Sequence, residues 1–234
     1  SVLEREKRFS TVYDTGIASP HSLQPMGNID SVGIVLLEKP TVFHDKEVKC
    51  IFVINVKKGH LLLHQEISDF SRIFNIEDRG QALIADFKKR EADLRQEFGK
   101  SKKDLSFVFW FSSASPSADA YVGGKNSASG FIASVLGGHN AITSETEWPT
   151  VSWESIIAAN PDVIVVASLD RNRWALDKAE EKIKFLKSDP AVSQLEAVKK
   201  GHIVVMDGQA MNPTIRTLYG AEQVGEQLRK MGLN

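Results

Sequence analysis

Residues 148–170 read WPTVSWESIIAANPDVIVVASLD, and this stretch decides the fold class. Ser152 is an N-cap residue type, so a short helix is expected over Trp153–Ala159. Asp162–Ala167 (DVIVVA) is then an unbroken apolar run of strand length, the pattern of a core parallel strand. The alternation extends in both directions. Upstream, Leu105–Phe111 (LSFVFWF) reads as a buried strand, and Ser112–Ser117 as a Ser/Pro loop. A helix is expected over Ser129–Leu136, closed by Gly137-Gly138. Downstream, Asp170–Leu186 reads as a charged amphipathic helix, and Asp189-Pro190 opens another that ends near Lys200-Gly201. His202–Met206 (HIVVM) is the last strand and Leu218–Met231 the last helix. Strands alternating with helices predict a parallel sheet covered on both faces.

The first part of the chain has another character. Ser31–Leu37 (SVGIVLL) is an apolar strand that Lys39-Pro40 is expected to end, and Val48–Val56 (VKCIFVINV) is the next. Lys57-Lys58-Gly59 is a turn, and the following Leu61, Leu62, Ile67, Phe70 and Ile73 fall near helical spacing. Gly16 and Pro20 shape a loop, GIASPH, that ends on His21. A long helix with a solvated charged face is predicted over Glu77–Phe98, with Gly99 as its stop.

Composition narrows the function classes. The 234 residues are 42% hydrophobic and 25% charged, which is ordinary for a globular chain with a sizeable core. With 29 Lys+Arg against 30 Asp+Glu, the net charge of -1 lacks the basic excess of a nucleic-acid binder. Cys50 is the single cysteine, which excludes an intramolecular disulfide framework. No apolar run approaches the roughly 18 residues of a membrane span. The opening SVLEREKRFS is too polar for a signal peptide, so the expectation is a cytoplasmic chain as expressed. Gly-Gly-Lys-Asn-Ser (123–127) resembles part of a phosphate-binding loop but lacks the first glycine and the Lys-[Ser/Thr] step, so ATP binding is discounted. No cofactor motif is present, and the chain reads as a binding protein rather than an enzyme.

Two resemblances follow from particular motifs. Glu4-Arg5-Glu6, Ser10-Thr11, GIASPHS (16–22), VGIVLLEKP (32–40), VKCIFVINV (48–56) and Gly59-His60-Leu61 stand in the order found in the EIIA phosphocarrier domain of the sugar phosphotransferase system, mannitol/fructose type. That resemblance implies phosphoryl transfer from the carrier protein HPr to His21, with His60 completing the site. A neutral imidazole is nucleophilic near neutral pH, and backbone N–H groups with a helix start can hold the phosphate. The match covers only the middle of that fold.

Residues 76–234 resemble the C-terminal lobe of ABC substrate-binding proteins for iron-siderophores, haem and cobalamin. The carrying motifs are ALIADFKKREADLRQEF (82–98), YVGGKNSASGFIASVLGGHNA (121–141), WPTVSWESIIAANPDVIVV (148–166) and AVKKGHIVVMDG (197–208). The implied fold is α/β: a Rossmann-like parallel-sheet lobe (75–234) preceded by a partial EIIA-like α/β region (1–74), joined near Ser71–Asp78. One family is cytoplasmic and the other exported, so the reading is a chimera with transport ancestry, in which the binding lobe is weak or inactive without its partner lobe.

Candidate residues follow. Trp110, Tyr121, Lys125, Trp148, Arg171, Arg173, Trp174 and Arg216 are expected to contact a small anionic or aromatic ligand such as a ferric siderophore. Arginine offers bidentate contacts to carboxylate or catecholate oxygens, and tryptophan packs on rings. Glu154 stands where the family carries a glutamate that docks on an ABC permease. His44 and His64 read as surface or helix-face histidines; His64 follows His60 by four residues, but no third metal ligand is evident. His139 and His202 read as structural. A half-domain leaves an apolar face open, which predicts a rearranged interface or a homodimer.

Overall fold

A computed structural model describes residues 12–13, 16–18, 31–43, 46–55, 63–100, 104–170 and 173–234. The chain divides into two compact units, Ser1–Gln81 and Ala82–Asn234.

The first unit holds a four-stranded sheet of β1 (Val12–Tyr13), β2 (Ile17–Ala18), β3 (Ser31–Phe43) and β4 (Lys46–Asn55), in the order β1-β2-β4-β3. β3 and β4 form an antiparallel hairpin, while β2 runs parallel to β4 with Ile17 opposite Cys50. The strand expected to stop at Lys39-Pro40 instead continues to Phe43. Its register against β4 shifts between Leu36 and Thr41, so the N–H that Pro40 lacks falls in the irregular stretch of an edge strand, where a ladder bond is not required. Helix α1 (Leu63–Ile73) sets Phe70 5.4 Å from the Phe52 ring of β4. Helix α2 (Glu77–Phe98) has the predicted bounds and carries the chain from the first unit into the second.

The second unit is built on a six-stranded sheet. Its strands are β5 (Ser106–Ser112), β6 (Ala120–Val122), β7 (His139–Asn140), β8 (Thr150–Val151), β9 (Val163–Ser168) and β10 (Ile203–Asp207), ordered β10-β9-β5-β6-β8 with β7 also on β5. β5, β9 and β10 are parallel, with Phe107 opposite Val163 and Ile203 opposite Ile164. β6 runs antiparallel to β5 and β8, so the predicted parallel sheet is a mixed one. The helices are α3 (Ala128–Val135), α4 (Trp153–Ala159), α5 (Ala179–Ser188), α6 (Glu196–Lys199) and α7 (Arg216–Lys230).

Strand alternation explains the core. Val108 and Trp110 of β5 join Ile164 and Val166 of β9 in a buried cluster with Ile156, Phe185, Leu186 and Leu195. Phe107 and Phe109 fall on the opposite face and stack at 5.9 Å. The buried residues Phe87, Leu94 and Phe98 of α2 and Leu218, Val224 and Leu228 of α7 complete the interior. Ser152 caps α4 as expected, its Oγ accepting from Ser155 N at 3.3 Å. Gly137, with φ +68°, supplies the left-handed residue that ends α3.

One predicted helix is shorter than its sequence pattern. Asp170–Leu186 was expected to be helical throughout, yet α5 begins at Ala179. The Asp177 carboxylate takes the backbone N–H groups of Arg173 and Trp174, at 3.0 and 2.9 Å, which offers those amides an alternative to helical bonding. The helix expected from Asp189-Pro190 is likewise reduced to a 3-10 turn (Val192–Gln194) and α6, with Asp189 Oδ1 accepting from Ala191 N and Val192 N. Among the described residues no helix is long and apolar enough to cross a membrane.

Candidate functional site

The parallel strands β5, β9 and β10 end on the same side, at Ser112, Ser168 and Asp207. In open α/β sheets the crevice outside the carboxyl ends of the strands is where ligands bind. Three connections leave from this edge: residues 113–119, 169–178 and 208–215. They carry Arg173 and Trp174 and adjoin Arg216.

A cavity of about 290 Å³ opens here, lined by Ser168, Leu169, Asp170, Asp207 and Gln209. Asp207 is partly committed, because its Oδ1 accepts from Gln209 N at 2.9 Å. The lining is rich in acceptors, suited to a ligand's N–H or O–H donors or a cationic group. Sequence reasoning missed Asp170 and Asp207. The available signal was a carboxylate just beyond the end of an apolar strand in both cases, in SLD (168–170) and VMDG (205–208).

Further along the connection after β9, Arg173 is exposed and its guanidinium carbon stands 5.3 Å from the centre of the half-buried Trp174 ring. The loop that bears them is tied down by Asp177, which is only 1% exposed. Arg216 opens α7 and is exposed, with its backbone N–H donating to Thr214 Oγ1 at 3.1 Å.

On the other side of β5 an aromatic platform forms. Tyr121 pairs with Ser112, the last residue of β5, and stacks on Trp148 at 5.5 Å and 23°. Phe111 meets Trp148 at 5.0 Å and Tyr121 at 6.0 Å. All three are half-buried, so they offer a partly dry wall on which a planar group can pack. Sequence reasoning found Tyr121 and Trp148 but not Phe111, which looked like one more core residue of LSFVFWF. Next to the platform, burial holds the Glu147 carboxyl above its ordinary value. Lys125 is exposed and pairs with Glu145 at 3.4 Å. Gly124 lets this loop close, because a Cβ there would lie 1.9 Å from the Thr146 carbonyl oxygen.

Trp110 does not belong to the site. It is fully buried, edge-on to Trp153 at 4.8 Å and to Phe185 at 5.7 Å, and its Nε1–H donates to Ser113 Oγ at 3.1 Å. Strand alternation turns it into the core while its neighbour Phe111 faces the other way, so its expected ligand contact is corrected to a packing role. Glu154 lies exposed in the first turn of α4, away from the strand-end cluster in the chain. His21, His60, His44 and Arg171 lie outside the described residues. His64 is half-buried on α1. Among the described residues no group of three or more His, Cys, Asp or Glu side chains is placed to hold a metal ion.

Comparison with known proteins bears on this arrangement. No curated protein matches the chain. Among solved structures, an ABC transporter substrate-binding protein from Listeria monocytogenes aligns with a TM-score of 0.59 at 18% identity, covering 71% of this chain and 63% of that one. A protein of an ABC-type Fe3+-hydroxamate transport system from Saccharomonospora viridis aligns at 0.60 and 20% identity, covering 71% and 55%. The periplasmic heme-binding protein RhuT from Roseiflexus sp. RS-1 aligns at 0.61 and 20% identity, covering 77% and 66%. This chain thus spans less than two thirds of each of these proteins, and at such identities the likeness is one of fold. The family model described as periplasmic binding protein matches residues 37–210, which takes in both the strand-end cavity and the aromatic platform. The match also crosses residues 71–78, the expected joint, and none of the comparisons supports a phosphocarrier domain before it. With its mixed α/β sheet and this match over most of its length, the chain belongs to the periplasmic binding protein family.

Proposed function

We propose that the unit 82–234 is the solute-binding lobe of an ABC importer of the iron-siderophore, haem or cobalamin type. The observation that carries this reading is that Arg173, Trp174 and Arg216 lie in or next to the connections leaving the carboxyl ends of β9 and β10, while Tyr121 of the Tyr121–Trp148–Phe111 platform pairs with Ser112 at the end of β5. Guanidinium groups suit the carboxylate, catecholate or hydroxamate oxygens of such ligands, and the rings suit their planar parts. The similar structures include a Fe3+-hydroxamate transport component and a heme-binding protein, which supports the ligand class. Lys125, and Arg171 two residues before Arg173 in the sequence, are the further cationic candidates. Glu154, exposed on α4, is the residue that would dock on permease arginines.

A cavity of about 290 Å³ is small for enclosing a siderophore or haem, and ligand pockets normally bury most of their ligand. Binding by this chain alone is therefore expected to be weak, with Kd on the order of micromolar or higher. Titration with ferric desferrioxamine B, haemin and cyanocobalamin, followed by tryptophan quenching, tests the reading. Saturable quenching by one of the three, weakened in R173A, supports it; no saturable response to any of them counts against it.

One observation favours a second role for the first unit. β2 and β4 run parallel, so both strands end at the same side of the sheet, and in the sequence His21 comes shortly after β2 and His60 shortly after β4. That connectivity suits a phosphocarrier remnant accepting phosphate from HPr on His21, within a chimeric chain. Incubation with phosphorylated HPr, with H21A as control, decides it; label that persists in H21A eliminates His21.

A further inference from the structure

We infer that Asp177, together with Ser112 and Lys182, is a buried clamp that positions Arg173 and Trp174 for solute recognition. The proposal rests on the strand-end site described above and adds the residues that set its geometry. Asp177 is 1% exposed, and Ser112 and Lys182 are fully buried, so none of the three meets a solute itself.

The two carboxylate oxygens of Asp177 do different work. Oδ2 accepts from the backbone N–H of Arg173 at 3.0 Å and of Trp174 at 2.9 Å. Oδ1 faces Ser112 Oγ at 2.7 Å, and the same hydroxyl lies 2.8 Å from the Leu176 carbonyl, so its single proton is shared between the two. The loop is thereby joined to the last residue of the central strand. Behind it, Lys182 Nζ donates to the Asp177 carbonyl at 3.0 Å and to the Ala167 carbonyl of β9 at 2.6 Å. Leu169 N adds a further bond to the Asp177 carbonyl at 3.2 Å. The loop is pinned to β5 and β9 at once.

A carboxylate taken out of water is costly unless its oxygens are satisfied. Loop conformations that pull the amides of Arg173 and Trp174 away cost the buried Asp177 carboxylate two of its donors, and are disfavoured for that reason. The clamp therefore restricts where the two α-carbons stand, and with them the 5.3 Å approach of the Arg173 guanidinium to the Trp174 ring. Ordering a binding loop before the solute arrives removes part of the entropy cost of binding. Nothing in the alternation of apolar and polar residues signals this arrangement, which is why the segment reads as helix in the sequence.

The test uses the ligand-free chain first. Amide hydrogen exchange by NMR is measured at Arg173 and Trp174, with Val165 in the core of β9 as the internal reference. In S112A and D177N the two loop amides are expected to exchange at least about tenfold faster while Val165 is unchanged, the mark of a local rather than global opening. With 5-fluorotryptophan incorporated, the 19F resonance of Trp174, assigned through W174F, is expected to shift, and S112T to restore it. S112A carries the test if D177N does not fold. Unchanged loop exchange in folded variants overturns the clamp. Binding of ferric desferrioxamine B and haemin is then compared: a loss in S112A of about the size seen in R173A supports the positioning role, and unchanged affinity with a loosened loop overturns it. If the wild-type chain binds neither probe, the solute-binding reading fails, while the clamp is still judged by exchange and the 19F line.

Discussion

Arg90 and Glu222 face each other across α2 and α7 with both guanidinium–carboxylate contacts at 2.7 Å, although 132 residues separate them in the chain. Seven residues further along both helices the pair recurs with its partners exchanged: Arg229 of α7 donates through its second contact to Glu97 of α2 at 2.7 Å. Phe87 and Tyr219, at the same offset, meet edge-on at 6.2 Å. A constant offset means the helices run parallel in a fixed register, and a seven-residue repeat is the spacing at which two packed helices present the same faces again. Arg90 also lies 4.6 Å from the Tyr219 ring centre and 5.3 Å from that of Phe87, so its planar group is held on three sides.

The Arg90–Glu222 contact is half-buried and bidentate, which places it at the upper end of what surface ion pairs contribute. A double-mutant cycle of R90A and E222A in urea unfolding is expected to return a coupling of about 1 kcal/mol. R90K should lose most of that coupling, because an ammonium can neither fork onto a carboxylate nor stack between two rings. A coupling indistinguishable from zero would mean that the register is set by apolar packing alone.

Two glutamates of this unit are predicted to respond to pH with opposite sign. Burial raises the Glu147 carboxyl above 4.5, so its contribution to stability is fully present below that value and is lost as pH rises through the folded-state value. E147Q should be more stable than wild type at pH 7, with the gap closing on acidification. The Arg229 guanidinium lowers Glu97 below 4.5, so its contribution is present above that value and disappears as pH falls through the folded one. E97Q should be the less stable protein at pH 7, and again the gap closes in acid. Melting temperatures between pH 3 and pH 8 check both; parallel curves for wild type and either variant would contradict the assignment.

The tryptophans separate packing from recognition. W110A removes a fully buried side chain between Trp153 and Phe185, and is expected to cost about 3–5 kcal/mol in chemical unfolding. W174A, in a half-buried loop position, should cost about 1 kcal/mol or less and instead weaken ligand quenching. Equal losses of stability in the two variants would remove the distinction on which the site assignment rests.

Legibility followed the range of the forces involved. α2 over Glu77–Phe98, α4 with its Ser152 cap and the strand at β9 were readable because caps and apolar runs are local signals. The stretch 173–178 was misread because its charged and apolar residues fit a helix, and the buried Asp177 carboxylate, reaching back to Ser112, diverts it. Pro40 was read as a stop because a proline in a central strand would be one; β3 turned out to be an edge. Of the residues singled out from the sequence, Tyr121 and Trp148 stack on each other and Arg173 stands over Trp174, whereas Trp110, expected at the ligand, is core, and Phe111, expected in the core, joins the aromatic platform.

That last exchange marks the division. Taken alone, the amino-acid order determined an α/β chain with buried strands at 105–111 and 162–167, and a family resemblance over its second part, since hydrophobic periodicity and capping act between near neighbours. Which face of β5 each aromatic residue occupies, which carboxylate is buried, and that Arg90 should find Glu222 were decided only by the tertiary structure. Those outcomes depend on strand order and on groups more than 60 residues apart competing for the same few donors and the same dry space.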